Sequence, residues 1–335
     1  MPGVPDCPSP VRIGILGASS YAPTTLINPA KGKDDVVIAA VGARDQASAD
    51  QFAAKHGIAT AHGSYAALVD DPTIDAVYVL LPTSMHGRWM RAALAAGKHV
   101  LCEKPFTANS AEAREIAELA AASDRVVMEA VQGRYHPLTL RVEEIIDSGE
   151  LGKLEFVDVA LCVMLPKFSG NCYNYDLAGG AMMDAGSYVV NMLRTFGRST
   201  PQVVSAKAKL RDPRVDRAMS AELRYPEGHR GRLRVSLWSS DLFRATAKVV
   251  GDAGELRWLS PAAPHLFPKL TISSARGKRV ERFPRRPTYD YQLDAFVAAV
   301  SKGHPVRTTA EGAVETMTVI DAIYRAAGLP LRYPS

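Results

Sequence analysis

The first 130 residues alternate short apolar runs with helical stretches, and no other feature limits the possible folds as strongly. The runs are apolar along nearly their whole length, which is typical of parallel strands buried on both faces of a sheet. They predict strands at residues 11–16, 36–41, 75–81, 99–102 and 125–128, and helices between them at 47–56, 87–96 and 110–122. The pattern therefore predicts an α/β domain over residues 1–130, with a parallel sheet of the Rossmann type.

Beyond residue 130 the pattern changes to longer β-rich stretches separated by turn signals such as Pro226-Glu227-Gly228. Consecutive strands at hairpin spacing indicate a mostly antiparallel sheet. Strands are predicted at residues 154–163, 203–210, 220–225, 231–238, 245–250 and 255–259, and helices at 137–146, 289–301 and 310–327. We therefore expect residues 131–335 to form an α+β domain built on a large open sheet.

The composition of the chain narrows its class. A length of 335 residues suits two domains, and 47% hydrophobic with 22% charged residues is typical of a soluble globular protein. No apolar run approaches the roughly 20 residues that span a bilayer, and the N-terminus lacks the features of a signal peptide. The four cysteines form no CxxC pair, so we expect free thiols, no metal site and a cytoplasmic location.

The net charge of +5 is the second compositional signal. Lysines and arginines are dispersed apart from one cluster at residues 276–286, whose role the sequence leaves open. Dispersed charge disfavours nucleic acid as a partner, whereas a mildly basic chain suits an anionic cofactor.

The turn after the first strand reads Gly17-Ala18-Ser19-Ser20-Tyr21-Ala22, where a dinucleotide site would carry GxGxxG or GxGxxA. Gly17 supplies the tight turn and Ala22 the close packing of helix on strand. Ser19 replaces the glycine that lets the backbone approach the pyrophosphate. Ser20 and Tyr21 complete the predicted phosphate site at the helix N-terminus. An ordinary turn between strand and helix is the alternative interpretation.

The end of the second strand distinguishes NADP from NAD. An NAD site places an acid there to bind the ribose 2′-hydroxyl, and neither Gly42 nor Ala43 is one. Arg44 instead suits a 2′-phosphate, because a guanidinium binds phosphate in bidentate geometry. We therefore favour NADP. Asp45 leaves NAD open, since its carboxylate either reaches the hydroxyl or caps the following helix.

Two further strand ends reach the same edge of the predicted sheet, and ligands bind at this edge in such folds. A lysine there could reach a substrate hydroxyl next to a nicotinamide ring. His86, in the first of these two strand ends, is equally typical of a residue that begins a helix. The residues predicted to contact the cofactor at these ends are Leu81, Pro82, Thr83, His86, Glu103 and Lys104.

The tripeptide Glu103-Lys104-Pro105 is also the most specific motif of the Gfo/Idh/MocA family of oxidoreductases, which the chain resembles over nearly its whole length. Residues 179–188, 291–296 and 320–328 are similar to other family segments. The resemblance implies both domains and a homo-oligomer, a dimer or tetramer, because the open sheet face often pairs with another subunit in that family.

Tyr188 stands where many family members carry His. In this respect the chain resembles the branch of dihydrodiol and NADP-linked aldose dehydrogenases, which has Tyr there. This resemblance implies NADP-dependent hydride transfer at a sugar, polyol or cyclic diol. The chain departs from the family pattern at Ser19 and at residues 131–133, where aromatic residues are frequent. We expect the second departure to alter the substrate pocket.

Lys104 and Tyr188 form a workable acid/base pair. Oxidation of an alcohol removes a hydroxyl proton as hydride leaves the carbon, and an ammonium near a phenol lowers the pKa of that phenol. Asp184 lies four residues before Tyr188, which places both on one face of a helix, where Asp184 could orient Lys104 or bind a substrate hydroxyl. The structural alternatives are a core aromatic at Tyr188 and a helix cap at Asp184.

Two other segments are candidates for the substrate pocket. The loop at 168–176 is rich in polar donors and aromatics, as polyol binding requires, although an ordered surface loop has the same composition. Arg134, Tyr135 and His136 open the second domain near the expected cleft. A non-catalytic NAD(P)-binding sensor on the same fold is the alternative function, because a fold does not determine an activity.

Overall fold

The first sheet contains six parallel strands in the order β3-β2-β1-β4-β5-β6. The computed structural model describes residues 9–164, 170–238 and 244–335. The strands are β1 (Val11–Leu16), β2 (Val36–Gly42), β3 (Thr60–His62), β4 (Ala76–Val79), β5 (His99–Glu103) and β6 (Val127–Ala130). The strand order reverses on either side of β1, so the crevice for a ligand lies at the carboxyl ends of β1 and β4. The predicted Rossmann-type sheet is confirmed.

Helices cover this sheet as the alternation predicted. A π-helical turn (Pro23–Ile27) leads into α1 (Asn28–Ala30), so the helix after β1 is short. The helices that follow are α2 (Gln46–His56), α3 (Tyr65–Val69), α4 (His86–Ala95) and α5 (Ser110–Ala121). The side chain of Asn109 caps α5 by accepting hydrogen bonds from two backbone amides.

The second sheet contains eight strands in the order β14-β13-β12-β11-β7-β10-β9-β8. Among the strands that the structure describes, only β7 and β10 pair in parallel, so the predicted mostly antiparallel sheet is confirmed. The strands are β7 (Leu154–Cys162), β8 (Gln202–Asp212), β9 (Val215–Arg224), β10 (Arg230–Ser236), β11 (Arg244–Gly251), β12 (Gly254–Leu259), β13 (Lys269–Ser274) and β14 (Gly277–Arg282). The accompanying helices are α6 (Pro137–Asp147), α7 (Ala181–Asp184), α8 (Gly186–Gly197), α9 (Thr288–Lys302) and α10 (Ala310–Ala326).

The outer strands of the second sheet differ from the predicted ones in their bounds and number. β9 begins at Val215 rather than at residue 220, and its second residue, Asp216, is fully buried. The hairpin of β13 and β14 was not predicted, because its charged residues hide a period-two alternation. The basic cluster at 276–286 falls largely on this hairpin, where Arg279 donates to Glu150 at 2.9 Å. At least part of that cluster therefore has a structural role.

Helix α9 returns to the first sheet, although its sequence position lies within the predicted second domain. Leu293, Phe296 and Val297 pack in one apolar cluster with Ile13 and Ile15 of β1. The N-terminal end of α9 is thereby placed near the carboxyl edge of the first sheet. The predicted boundary at residue 130 remains a prediction.

Two predictions from composition concern thiols and membranes. Cys102, Cys162 and Cys172 are thiols with no disulfide bond between them, and Cys7 lies outside the described residues. Among the residues that the structure describes, no helix combines the length and apolar character needed to cross a membrane.

Candidate active site

Gly17 joins three strand ends at the carboxyl edge of the first sheet. Its amide donates to the carbonyl oxygen of Gly42 at 2.9 Å, and its φ of 114° lies in the region that favours glycine. A Cβ at this position would lie 2.5 Å from the carbonyl oxygen of Leu80, so a side chain does not fit. The tight turn predicted for Gly17 is present, and it keeps the strand ends close enough to form one crevice.

The remaining residues of this turn have different environments. Ala22 is fully buried, as close packing of helix on strand requires, whereas the Tyr21 side chain is 69% exposed. The Ser19 hydroxyl accepts a hydrogen bond from the Tyr21 amide at 3.2 Å. Ser19 and Ser20 remain open to solvent beside the first helical turn, where an anion would meet backbone amides and the positive end of the helix.

Arg44 and Asp45 follow β2 and have different environments. Arg44 is exposed at the crevice edge. Asp45 is the N-cap of α2, and its two carboxylate oxygens accept from the Ser48 amide and hydroxyl, both at 2.8 Å. These bonds hold the pKa of Asp45 below its ordinary value. The helix cap is therefore the role that the structure gives Asp45, and Arg44 remains as the side chain for a 2′-phosphate.

The loop after β4 brings Leu81, Pro82 and Thr83 to the same crevice as half-buried residues. His86 is placed differently, because it begins α4 with its ring 1% exposed. Its ring nitrogens lie 2.8 Å from the Leu81 carbonyl oxygen and 2.9 Å from the Pro105 carbonyl oxygen. His86 thus ties the β4 loop to the lysine motif and does not face a ligand.

Glu103 and Lys104 lie at the carboxyl end of β5. Glu103 accepts hydrogen bonds from the Tyr78 hydroxyl and from the Lys104 amide. Burial raises the pKa of Glu103, and the charge of Lys104 opposes that shift. The Lys104–Pro105 peptide bond is cis. Glu103 therefore holds the strand end in place through these two hydrogen bonds. The Lys104 side chain extends toward Asp184 of the second domain.

The structure brings Lys104, Asp184 and Tyr188 together, as predicted. The Lys104 Nζ donates to the Asp184 carbonyl oxygen at 2.9 Å and to Asp184 Oδ1 at 3.0 Å. The same Nζ lies 4.9 Å from the centroid of the Tyr188 ring. Asp184 ends α7 and Tyr188 belongs to α8, so the predicted single helix is two helices that meet at Ala185.

The predicted effect of Lys104 on Tyr188 does not dominate. Burial raises the pKa of Tyr188 well above its ordinary value, and the carboxylates of Glu103 and Asp184 act in the same direction. The charge of Lys104 is shared with those two carboxylates, which keep its own pKa high despite burial. Tyr188 is therefore a neutral phenol in this structure, equipped to donate a proton.

Two side chains that the sequence did not single out lie beside Tyr188. Its hydroxyl donates to Gln132 Oε1 at 3.1 Å. Tyr289, at the start of α9, is close enough for the two phenols to influence each other's pKa. Gln132 lies in the segment where the chain departs from the family pattern, and that departure was the available signal. No sequence pattern distinguishes Tyr289 from other residues near a helix start.

A buried network anchors the segment that carries Asp184. Asp216 accepts from the Met182 amide at 2.7 Å, from the Tyr324 hydroxyl at 2.9 Å and from Arg332 Nη2 at 3.2 Å. Both charged side chains are fully buried. A Cβ at Gly180 would lie 2.3 Å from Asp216 Oδ1, so this glycine admits the carboxylate. The network ties the C-terminal segment to the second sheet beneath α7.

The other predicted pocket residues are largely structural. His136 is fully buried and caps α6 by accepting from the Leu138 amide at 3.1 Å. The Tyr135 hydroxyl lies 2.8 Å from the Thr308 hydroxyl, and Arg134 lies 3.9 Å from Glu143. None of the three belongs to the cluster around Lys104.

The predicted substrate loop is partly described. Its residues 168 and 169 lie outside the described residues, whereas residues 170–176 do not. This part lines a cavity of about 760 Å³ together with the turn between β8 and β9. Tyr173 is buried with its hydroxyl unpaired; burial raises the pKa of this phenol, and the nearby Asp184 carboxylate acts in the same direction. Polar groups of this loop therefore lie close to the lysine cluster.

The arrangement fits a dinucleotide with its reactive end toward Lys104. Gly17 follows β1 in the middle of the carboxyl edge, Arg44 follows β2 on one side of it, and the Lys104 cluster follows β5 on the other. Around a reacting oxygen, the chain offers one ammonium and one neutral phenol. These groups can hydrogen-bond an alcohol or carbonyl oxygen and exchange a proton with it.

Comparison with known families agrees with this geometry. The model described as "Oxidoreductase family, NAD-binding Rossmann fold" matches residues 11–131, and the GFO/IDH/MocA C-terminal domain matches residues 139–257. The chain belongs to the Gfo/Idh/MocA family of oxidoreductases. The predicted family, enzyme class and nicotinamide dinucleotide cofactor are thus confirmed.

Individual relatives agree with the predicted branch. D-xylose 1-dehydrogenase (NADP(+)) 2 of Haloferax volcanii is 35% identical to the chain, over 95% of this chain and 97% of the relative. Trans-1,2-dihydrobenzene-1,2-diol dehydrogenase of Mus musculus is 34% identical over 73% of each chain. The solved structure of KijD10, a 3-ketoreductase from Actinomadura kijaniata in complex with NADP and TDP-benzene, matches with a TM-score of 0.86. It is 25% identical, covering 95% of this chain and 98% of that one.

Proposed function

We propose that the protein is an NADP-dependent oxidoreductase that acts on a sugar, a polyol or a cyclic diol at a carbon bearing oxygen. The observation that carries the proposal is the contact of Lys104 with Asp184 and Tyr188 at the carboxyl end of β5. Relatives named for D-xylose and for a dihydrobenzene diol support this substrate class.

The environments of Arg44 and Asp45 favour NADP over NAD as the cofactor. Arg44 is exposed where the ribose of the cofactor would lie, and Asp45 already uses both carboxylate oxygens in the cap of α2. An NAD site needs a free acid at that point. The name of the Haloferax volcanii relative includes NADP(+), which agrees with this assignment.

The chain's own residues divide the chemistry between them. When bound, the dinucleotide supplies or accepts the hydride. Lys104 hydrogen-bonds the substrate oxygen, and Asp184 holds the ammonium in place through its carbonyl and carboxylate oxygens. Tyr188 exchanges the proton with that oxygen. The polar groups around Tyr173 face the remaining hydroxyls of the substrate.

A reductase of a keto-sugar is the second candidate within this function. Burial and two carboxylates keep Tyr188 neutral, and a neutral phenol donates a proton, as carbonyl reduction requires. The 3-ketoreductase KijD10 supports this direction at the level of the relative. A homo-oligomer and a cytoplasmic location remain predictions.

Hydride transfer measured at 340 nm tests the proposal. Aldoses, inositols and dihydrodiols are screened with NADP⁺, and the matching carbonyl compounds with NADPH; NAD(H) is run in parallel. We expect turnover with NADP(H) to fall by about 10²–10⁴-fold in Tyr188→Phe, the usual contribution of one acid/base group, and to fall in Lys104→Ala as well. Tyr291→Phe, two residues beyond Tyr289 and outside the cluster, is the matched control. Absence of NADP(H) binding in a fluorescence titration, or full turnover in both site variants, would overturn the proposal.

A further inference from the structure

The cavity beside the substrate loop has a basic wall. It measures about 760 Å³ and lies between residues 170–175 and the turn that joins β8 to β9. That turn contributes Arg211, Asp212 and Arg214, so two guanidinium groups and one carboxylate line the described part of the cavity. A cavity of this volume is large enough for a sugar or a sugar derivative. Its described wall carries more positive than negative charge.

Arg214 is held in place without an ion pair. Its Cζ lies 4.2 Å from the centroid of the Tyr175 ring. Asp212 contacts Arg214 through the backbone, because its Oδ1 accepts from the Arg214 amide at 2.9 Å. In the described part of the chain, the Arg214 guanidinium forms no bond to a carboxylate. A guanidinium stacked on an aromatic ring keeps its planar fork of N–H groups available, and this fork matches a carboxylate or a phosphate.

Asn174 supplies a neutral donor on the loop side of the cavity. Its Oδ1 accepts from the Asp176 amide at 2.9 Å and so caps the turn Tyr175–Leu177. The acceptor and the donor of an amide group stand on different arms, so this bond fixes the orientation of the Nδ2 arm. Asn174 is exposed and lines the cavity. Its Nδ2 is therefore available to a ligand oxygen.

The cavity adjoins the lysine cluster through α7. The Cys172 carbonyl oxygen accepts from the Gly180 amide at 2.8 Å, and the Gly180 carbonyl oxygen accepts from the Asp184 amide at 2.9 Å. Since α7 has four residues, it separates the substrate loop from Asp184 by only about 6 Å along its axis. A sugar bound at Lys104 by one end can therefore extend to the cavity with the other.

We infer that this cavity is an anion subsite and that the substrate is a sugar or polyol that carries a carboxylate or a phosphate group. The inference rests on the proposed function and narrows its substrate class. Arg214 binds the anionic group through its fork, Asn174 donates to the same group through Nδ2, and Arg211 adds positive charge. The hydroxyl or carbonyl that reacts lies at the other end of the molecule, beside Lys104 and Tyr188.

Binding of matched sugars tests the inference without turnover. Glucose, glucuronate and glucose 6-phosphate, and the corresponding galactose set, are titrated calorimetrically into the full chain loaded with NADPH. We expect one anionic sugar to bind about tenfold or more tightly than its neutral counterpart, and this advantage to shrink as salt is added. The tighter of the two anionic sugars distinguishes a carboxylate from a phosphate. If no anionic sugar binds more tightly than its neutral counterpart, the inference is wrong.

Two variants and a control locate the subsite. Arg214→Met keeps an unbranched side chain on Tyr175 but removes the charge. It should weaken binding of the anionic sugar by about 10–100-fold, the effect of a charge-assisted hydrogen bond. Asn174→Asp keeps the acceptor for the Asp176 amide and replaces the donor with a negative charge, so the preference for the anionic sugar should also disappear. Arg224→Met is the control, because Arg224 is exposed at the far end of β9, about 30 Å along the strand.

The neutral sugar is the internal reference in each variant, and its binding should not change. Equal losses for neutral and anionic sugars in Arg214→Met, or the same loss of preference in Arg224→Met, would contradict a specific subsite. If NADPH does not bind, or if Tyr188→Phe retains full turnover, the proposed function fails instead. Sugar titrations on the cofactor-free chain then still report on Arg214 and Asn174.

Discussion

The buried pair of Asp216 and Arg332 allows a stability prediction of definite size. Both side chains are fully buried, and the Asp216 carboxylate accepts from Arg332, the Tyr324 hydroxyl and the Met182 amide. Arg332→Met removes the only positive partner recorded for this carboxylate among the described residues and leaves two neutral donors. A buried charge that loses its partner costs about 3–5 kcal/mol.

Thermal unfolding measures this cost. For 335 residues that unfold as one unit, an unfolding entropy of about 2.1 cal/mol/K per residue converts the loss into a Tm lower by about 4–7 °C. Arg91→Met is the matched control, because Arg91 and Glu115 form an exposed pair at 2.8 Å that contributes about 0–1 kcal/mol. The double variant Asp216→Asn/Arg332→Met removes both charges and should recover at least half of the loss. A Tm for Arg332→Met equal to that of Arg91→Met would refute the reasoning.

The remaining predictions concern pH and cofactor choice. Burial raises the pKa of Glu129 from 4.5 to about 7, so the folded state holds a proton that the unfolded state releases, and stability falls as pH rises between those values. Glu129→Gln should match the wild type at pH 4.5 and exceed its unfolding free energy by up to about 3 kcal/mol at pH 8, with Glu115→Gln as control; parallel pH curves for wild type and variant would contradict this. Arg44→Ala should weaken NADPH binding by about tenfold or more, the effect of a charge-assisted hydrogen bond. Binding of NADH should be unchanged in a fluorescence titration, and equal losses for both cofactors would exclude a 2′-phosphate contact.

Five strands of the first sheet were predictable because they are apolar on both faces, whereas the short, half-buried β3 (Thr60–His62) was not predicted. Such runs carry the same signal at every residue, and the observed bounds of β1 and β5 differ from the predicted ones by at most one residue. The second sheet was predicted less completely. Edge strand β14 has a single apolar side chain, Val280, among charged residues, and the buried Asp216 interrupts the apolar pattern of β9.

The residues of the candidate site were also predicted only in part. Strand-end residues such as Gly17 and Lys104 were identified because parallel strands bring their carboxyl ends to one edge. The departure at residues 131–133 marked the segment of Gln132 but not its contact with Tyr188, and Tyr289 could not be identified because its position depends on the return of α9. The direction of the Tyr188 pKa shift was wrong in the sequence argument, because burial is the largest cause of the rise and the sequence does not show how deeply this side chain is buried.

The return of α9 bears on how this family can be recombined. A chimera made by cutting near residue 130 would pair the first sheet with a foreign α9, exchanging Leu293, Phe296 and Val297 against an unchanged β1 surface. It would also exchange Tyr289, which lies beside Tyr188. Because α9 packs on β1, we expect that a functional exchange between relatives must transfer Thr288–Lys302 together with the first sheet.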